Sequence, residues 1–166
     1  EQADHYARLM TTLGVERAVV VGASEGGFIA SNLALHHPER VERLILLGPM
    51  GYSGATGAIA RITLTQAFPI EALQDATFRW AFSGSDALVA KYGDWFRLLM
   101  RGVYPRKVAP LPIPAEERAR IEVPVLFVFG TRDQLVGDPA RAAAGVADMP
   151  DVRVEVVEAG HLMAAE

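Results

Sequence analysis

The sequence predicts an α/β fold: a sheet of about four parallel strands with flanking helices, plus an inserted helical segment. Three observations predict it. Short β-branched runs, apolar on both sides, alternate with segments of helical spacing. A glycine-rich turn joins the first such run to the helix after it. One long stretch between the second and third runs has no strand pattern and holds nine of the thirteen aromatic residues, so it is set apart from the alternation.

Ala3, Tyr6, Ala7, Leu9, Met10 and Leu13 recur at helical spacing and predict one apolar face of a first helix, ended by Gly14. Residues 18–21, Ala-Val-Val-Val, suit a buried parallel strand. A helix follows over residues 26–37 and stops before Pro38. Residues 41–47 form the second strand. Residues 123–129 form the third, with Pro124 tolerated near its start. Asp138 caps a helix over residues 139–147 that has Pro139 at its first position. Residues 152–157 form the fourth strand.

The stretch from Pro49 to Pro114 reads as several short helices carrying Tyr52, Phe68, Phe78, Trp80, Phe82, Tyr92, Trp95, Phe96 and Tyr104. We read residues 49–114 as a helical lid and its proline-rich return linker. Residues 1–48 and 115–166 then make up the sheet-bearing core. The aromatics either line an apolar pocket or bury the insertion against the sheet.

Composition narrows the function. The chain has 166 residues, 51% hydrophobic and 22% charged, which is a globular balance with enough chain for a core. A net charge of −4 gives no basic patch for nucleic acid. The absence of cysteine rules out disulfides, thiolate metal sites and a cysteine nucleophile, and fits a cytoplasmic enzyme. No apolar run is long enough to span a bilayer, and residues 1–5 do not read as a signal peptide. No cofactor or metal is implied, because histidines and carboxylates do not cluster.

Gly22-Ala23-Ser24-Glu25-Gly26-Gly27 fits a glycine-x-serine-x-glycine turn between a strand and a helix. Such a turn is sharp and strained, and its flanking positions, Gly22 and Gly26, are expected to need glycine. It lifts the serine hydroxyl out of the sheet at a helix N-terminus, where free N–H groups favour developing negative charge. The Glu25 N–H becomes one oxyanion donor. The bland alternative is a packing turn with Ser24 as helix cap.

A serine nucleophile needs a base, and the base an acid. His36 and His37 end a helix, and His5 lies on an exposed helix face. His161 instead follows Ala159-Gly160 at the C-terminal end of the fourth strand, the edge where open α/β sheets bind ligands. Asp133 follows the third strand at the same edge. Asp138 is explained as a cap, and Asp148 and Asp151 flank a proline turn. Ser24, Asp133 and His161 thus lie in the order Ser, Asp, His, each after its own strand, which is the α/β-hydrolase order. A dinucleotide-binding turn would place a glycine where Ser24 stands and leaves Asp133 and His161 unexplained.

Four segments carry a resemblance. They are the Ser24 turn, residues 34–47, residues 124–133, and Ala159-Gly160-His161-Leu162-Met163-Ala164-Ala165-Glu166. Together they resemble lid-bearing α/β-hydrolases of the esterase, meta-cleavage-product hydrolase and epoxide hydrolase group. The resemblance implies Ser24 as nucleophile, Asp133 as acid, His161 as base and the Glu25 backbone in the oxyanion hole. A serine at the elbow speaks against epoxide hydrolase chemistry, which uses a carboxylate. The implied activity is hydrolysis of small apolar esters or related acyl compounds. Carbon–carbon bond hydrolysis by the same triad is the alternative, since Gly48-Pro49-Met50-Gly51 is similar to a segment of those enzymes. A ligand-binding protein on the same scaffold is another.

The resemblance also implies earlier strands and a second oxyanion loop that this sequence does not contain. The expectation is therefore a fragment or truncated product of low activity. Its first strand should expose an apolar edge and pair with other copies through it.

Overall fold

The computed structural model describes residues 1–52, 56–68, 70–102 and 112–165. Four strands, β1 (Ala18–Ala23), β2 (Val41–Leu47), β3 (Val125–Gly130) and β4 (Val152–Val157), form one sheet in the order β1-β2-β3-β4, all parallel. Ala23 pairs with Leu47, Leu47 with Val128, and Gly130 with Val157. The C-terminal ends of the strands are therefore nearly level, and residues just beyond them share one edge.

Helix α1 (Gln2–Thr12) packs on α2 (Glu25–His36), which covers β1 and β2. Ala30, Leu33 and Ala34 recur at helical spacing and are buried. The helix ends where His37 N–H donates to Leu33 O and Pro38 cannot continue it. The short helix α6 (Ala115–Arg118) precedes β3. Helix α7 (Pro139–Ala144) packs against β3, and Asp138 caps it by accepting from Ala140 N–H at 2.9 Å. The main core gathers Leu44, Leu46, Phe127, Phe129, Ile121 and Val146, all nearly inaccessible. Each such side chain contributes roughly 1.5–3 kcal/mol of burial.

Between β2 and α6 the described residues contain three helices, α3 (Thr56–Ala67), α4 (Glu71–Ala81) and α5 (Asp86–Gly102), and no strand. Ile113 N–H donates to Gly51 O at 2.9 Å, so the excursion leaves and rejoins the sheet at neighbouring points. Tyr104 and residues 105–111 of the expected return linker lie outside the described residues.

Two expectations need correction. The apolar face of α1 is narrower than its spacing implied: Ala3 and Ala7 are buried, but Tyr6, Leu9 and Leu13 are exposed. Ala3 and Ala7 are small enough to let α1 approach α2 closely, and Met10 is the one larger residue of that face that packs against the core. Residues 18–21 are not buried on both faces: exposure alternates along β1, so the face of Val20 packs on the core while Val19, at 44%, and Val21, at 60%, point to the uncovered face. The aromatics of the excursion do not act as one set. Phe78, Phe82 and Phe96 pack on one another, with centroids 4.5 to 6.1 Å apart, while Tyr52 joins the sheet core at 4.8 Å from Phe127. Phe68 and Trp95 are exposed.

Candidate active site

Ser24 stands between β1 and α2 with φ 52° and ψ −122°. A side-chain-bearing residue in that region stores roughly 1–3 kcal/mol of strain. Three backbone hydrogen bonds hold it there. Its N–H donates to Leu47 O at 3.0 Å, and its carbonyl accepts from Gly27 N–H at 3.0 Å and Met50 N–H at 2.9 Å. The glycines explain how the chain turns so sharply. A Cβ on Gly22 would lie 2.5 Å from Gly26 O, and one on Gly27 would lie 2.5 Å from the Pro49 Cβ. Gly26 itself faces open space, so the second position that needs glycine is Gly27, not Gly26 as the motif implied. Among the described residues the Glu25 N–H has no acceptor, which suits the donor role expected of it.

Asp133 lies three residues beyond β3 and is 2% exposed. A buried carboxylate is costly unless its oxygens are satisfied. Oδ1 accepts from Leu135 N–H at 2.9 Å and Val136 N–H at 3.0 Å. Oδ2 lies 2.8 Å from His161 Nδ1. An ionised carboxylate can only accept, so the contact fixes the proton on Nδ1 and leaves Nε2 as the basic nitrogen. The His161 side chain is only 8% exposed.

His161 follows β4, yet it reaches a partner beyond β3. Its loop runs back across the end of β3. Arg132 N–H donates to Ala159 O at 3.0 Å, and a Cβ on Gly130 would stand 2.4 Å from that same oxygen. The ring then arrives beside Gly48, the residue after β2. Neighbouring strands are about 4.8 Å apart, so the loop carries the imidazole roughly two strands toward Ser24. Among the described residues Ser24 Oγ makes no hydrogen bond. Contacts of this kind commonly tighten only with substrate in place.

His5 is exposed, His36 is exposed in the last turn of α2, and His37 pairs with Asp4 at 2.9 Å. Asp148 meets Arg118 at 3.2 Å. These alternatives lie away from the Ser24 edge. Among the described residues no three histidine, aspartate or glutamate side chains converge to hold a metal ion.

The sequence reading overlooked two supports. Leu135 and Leu162, close neighbours of Asp133 and His161 in the chain, pack against the Phe78–Phe82–Phe96 cluster. Tyr52 donates to Ser31 Oγ at 2.8 Å, and Ser31 donates to Gly27 O at 2.8 Å, which braces the start of α2 under the turn. Burial pushes the Tyr52 hydroxyl up to about 12. An aromatic among apolar neighbours was the only signal for either.

The model of the alpha/beta hydrolase family matches residues 1–166. The chain belongs to the alpha/beta hydrolase family. As such a hydrolase-family member it is 32% identical, over 89% of its length, to 2-hydroxymuconate semialdehyde hydrolase of Pseudomonas sp. (strain CF600). That alignment spans 46% of the relative, so the chain covers about half the length of a curated relative. Its fold is similar to naproxen esterase from Bacillus subtilis, with a TM-score of 0.82 at 21% identity, over 99% of this chain and 60% of the other. It is also similar to 2-hydroxy-6-oxo-6-phenylhexa-2,4-dienoate hydrolase from Rhodococcus sp. strain RHA1, with a TM-score of 0.77 at 18% identity, over 96% and 62%.

Proposed function

We propose that this alpha/beta hydrolase family chain carries a serine hydrolase site for small apolar esters or related acyl compounds. The buried Asp133–His161 pair, on the sheet edge that also carries the strained Ser24 turn, supports this most. In this reading His161 Nε2 takes the Ser24 proton and Oγ attacks the acyl carbon. The Glu25 N–H receives part of the oxyanion charge. His161 then returns the proton to the leaving group, and water releases the acyl-enzyme by the same route. Asp133 holds the imidazole and stabilises its cation. The α3–α5 excursion acts as a lid over the site.

Carbon–carbon bond hydrolysis is the second reading, favoured by the relative from strain CF600. A fluorophosphonate probe tests the shared part. It should label the protein at Ser24, and Ser24→Ala should abolish labelling. A wild-type protein that stays unlabelled would instead be a ligand-binding protein on this scaffold. Turnover of p-nitrophenyl esters against a ring-opened aromatic dienoate separates the two chemistries.

A further inference from the structure

We infer that Gly48 is a positioning residue, whose missing side chain sets the Asp133–His161 pair in place. Gly48 is the first residue after β2, with φ +49°. A Cβ built on it lies 2.7 Å from Asp133 Oδ2, 3.4 Å from His161 Nδ1 and 3.6 Å from His161 Cε1. The Cα of Gly48 is therefore the wall against which the hydrogen bond between acid and base is seated.

The contact is not one that a flexible side chain could escape. Both Asp133 oxygens are engaged, Oδ1 by two backbone N–H groups and Oδ2 by the imidazole. Moving Oδ2 aside costs that pairing. The backbone of Gly48 is fixed as well, because its N–H donates to Val128 O at 2.9 Å.

The same short segment grips the nucleophile. Leu47 O accepts from Ser24 N–H, and Met50 N–H donates to Ser24 O. Pro49 fills the space that a side chain on Gly27 would need. Residues 47–50 thus touch the Ser24 turn on one side and the acid–base pair on the other, and they set the separation between them. This rests on Asp133 and His161 being the acid and base.

The test uses proton NMR of the whole chain, together with ester turnover. The wild type should show a nuclear Overhauser contact between Gly48 Hα and the His161 ring. It should also show a low-field Hδ1 resonance that Asp133→Ala removes. Absence of that resonance overturns the pair itself, and the role of Gly48 falls with it. Gly48→Ala and Gly48→Asn should both shift or lose the resonance. They should lower kcat by about 10²-fold, the scale of a roughly 1 Å misplacement, with KM little changed. Asparagine tolerates positive φ but still carries a Cβ, so rescue by Asn would mean backbone strain alone and would overturn the inference. Gly14→Ala, at φ +70° with nothing within 4 Å, is the strain-only control and should leave the resonance unchanged. If neither variant at position 48 folds, the wild-type contact decides, and its absence overturns the proposal.

Discussion

Leu135 and Leu162 pack against one aromatic cluster, although the first lies two residues beyond Asp133 and the second directly follows His161. The loops bearing Asp133 and His161 are therefore seated on the same surface of the helical excursion. Phe78, 2% exposed, lies at the centre of that cluster. Phe78→Ala should cost about 3–5 kcal/mol in denaturant unfolding. It should also slow fluorophosphonate labelling of Ser24 under conditions where the sheet is still folded. Labelling at the wild-type rate would show that the excursion and the two loops are independent.

Asp133→Asn separates stability from chemistry. The amide oxygen can still accept from Leu135 and Val136 N–H, so unfolding should change by no more than about 1 kcal/mol. The imidazole loses its anionic partner and its fixed tautomer, and ester turnover should fall by about 10⁴-fold, the scale known for serine protease triads. A loss below tenfold would remove Asp133 from the proposed mechanism.

Ser24→Gly should stabilise the protein while abolishing labelling. Glycine adopts φ 52°, ψ −122° without side-chain strain. A gain of about 1 kcal/mol is expected after its greater unfolded-state entropy is offset. Thermal unfolding of the two proteins side by side measures it.

Tyr52 predicts an alkaline limit. Its folded value, about 12, lies above the ordinary 10.0 because burial disfavours the phenolate. The native state therefore holds a proton that the unfolded chain gives up. This contribution is intact below about pH 10 and fades as pH climbs toward 12, by about 1.4 kcal/mol per unit. Tyr52→Phe should flatten that part of the stability curve.

Val19 and Val21 leave an apolar strip on the edge strand. Light scattering of the chain in dilute buffer should show self-association, and Val21→Lys should reduce it. A monodisperse monomer of wild-type sequence would contradict this.

Much of the fold was legible in the sequence because local patterns decided it. β2 and β4 span the expected residues, and Asp138 caps α7 as its neighbours implied. Ser24, Asp133 and His161 could each be placed at a strand end by counting from a β-branched run. What joins them could not. The return of the Ala159–Gly160 loop over Gly130 and the seat at Gly48 are contacts between distant segments, with no periodicity to betray them. The need for glycine falls on Gly27 rather than Gly26 for the same reason, since its close partner is the distant Pro49. Tyr52 was grouped with the excursion by sequence position, whereas packing on Phe127 assigns it to the sheet.

Gly22, Gly27, Gly48 and Gly130 each have a neighbouring atom within 3 Å of where a Cβ would stand. Every missense change of a glycine codon adds a Cβ. At these codons mutation has no mild first step, so sequence drift must begin elsewhere, in positions such as the exposed residues of α3–α5 whose side chains can change without entering the space around the Asp133–His161 pair.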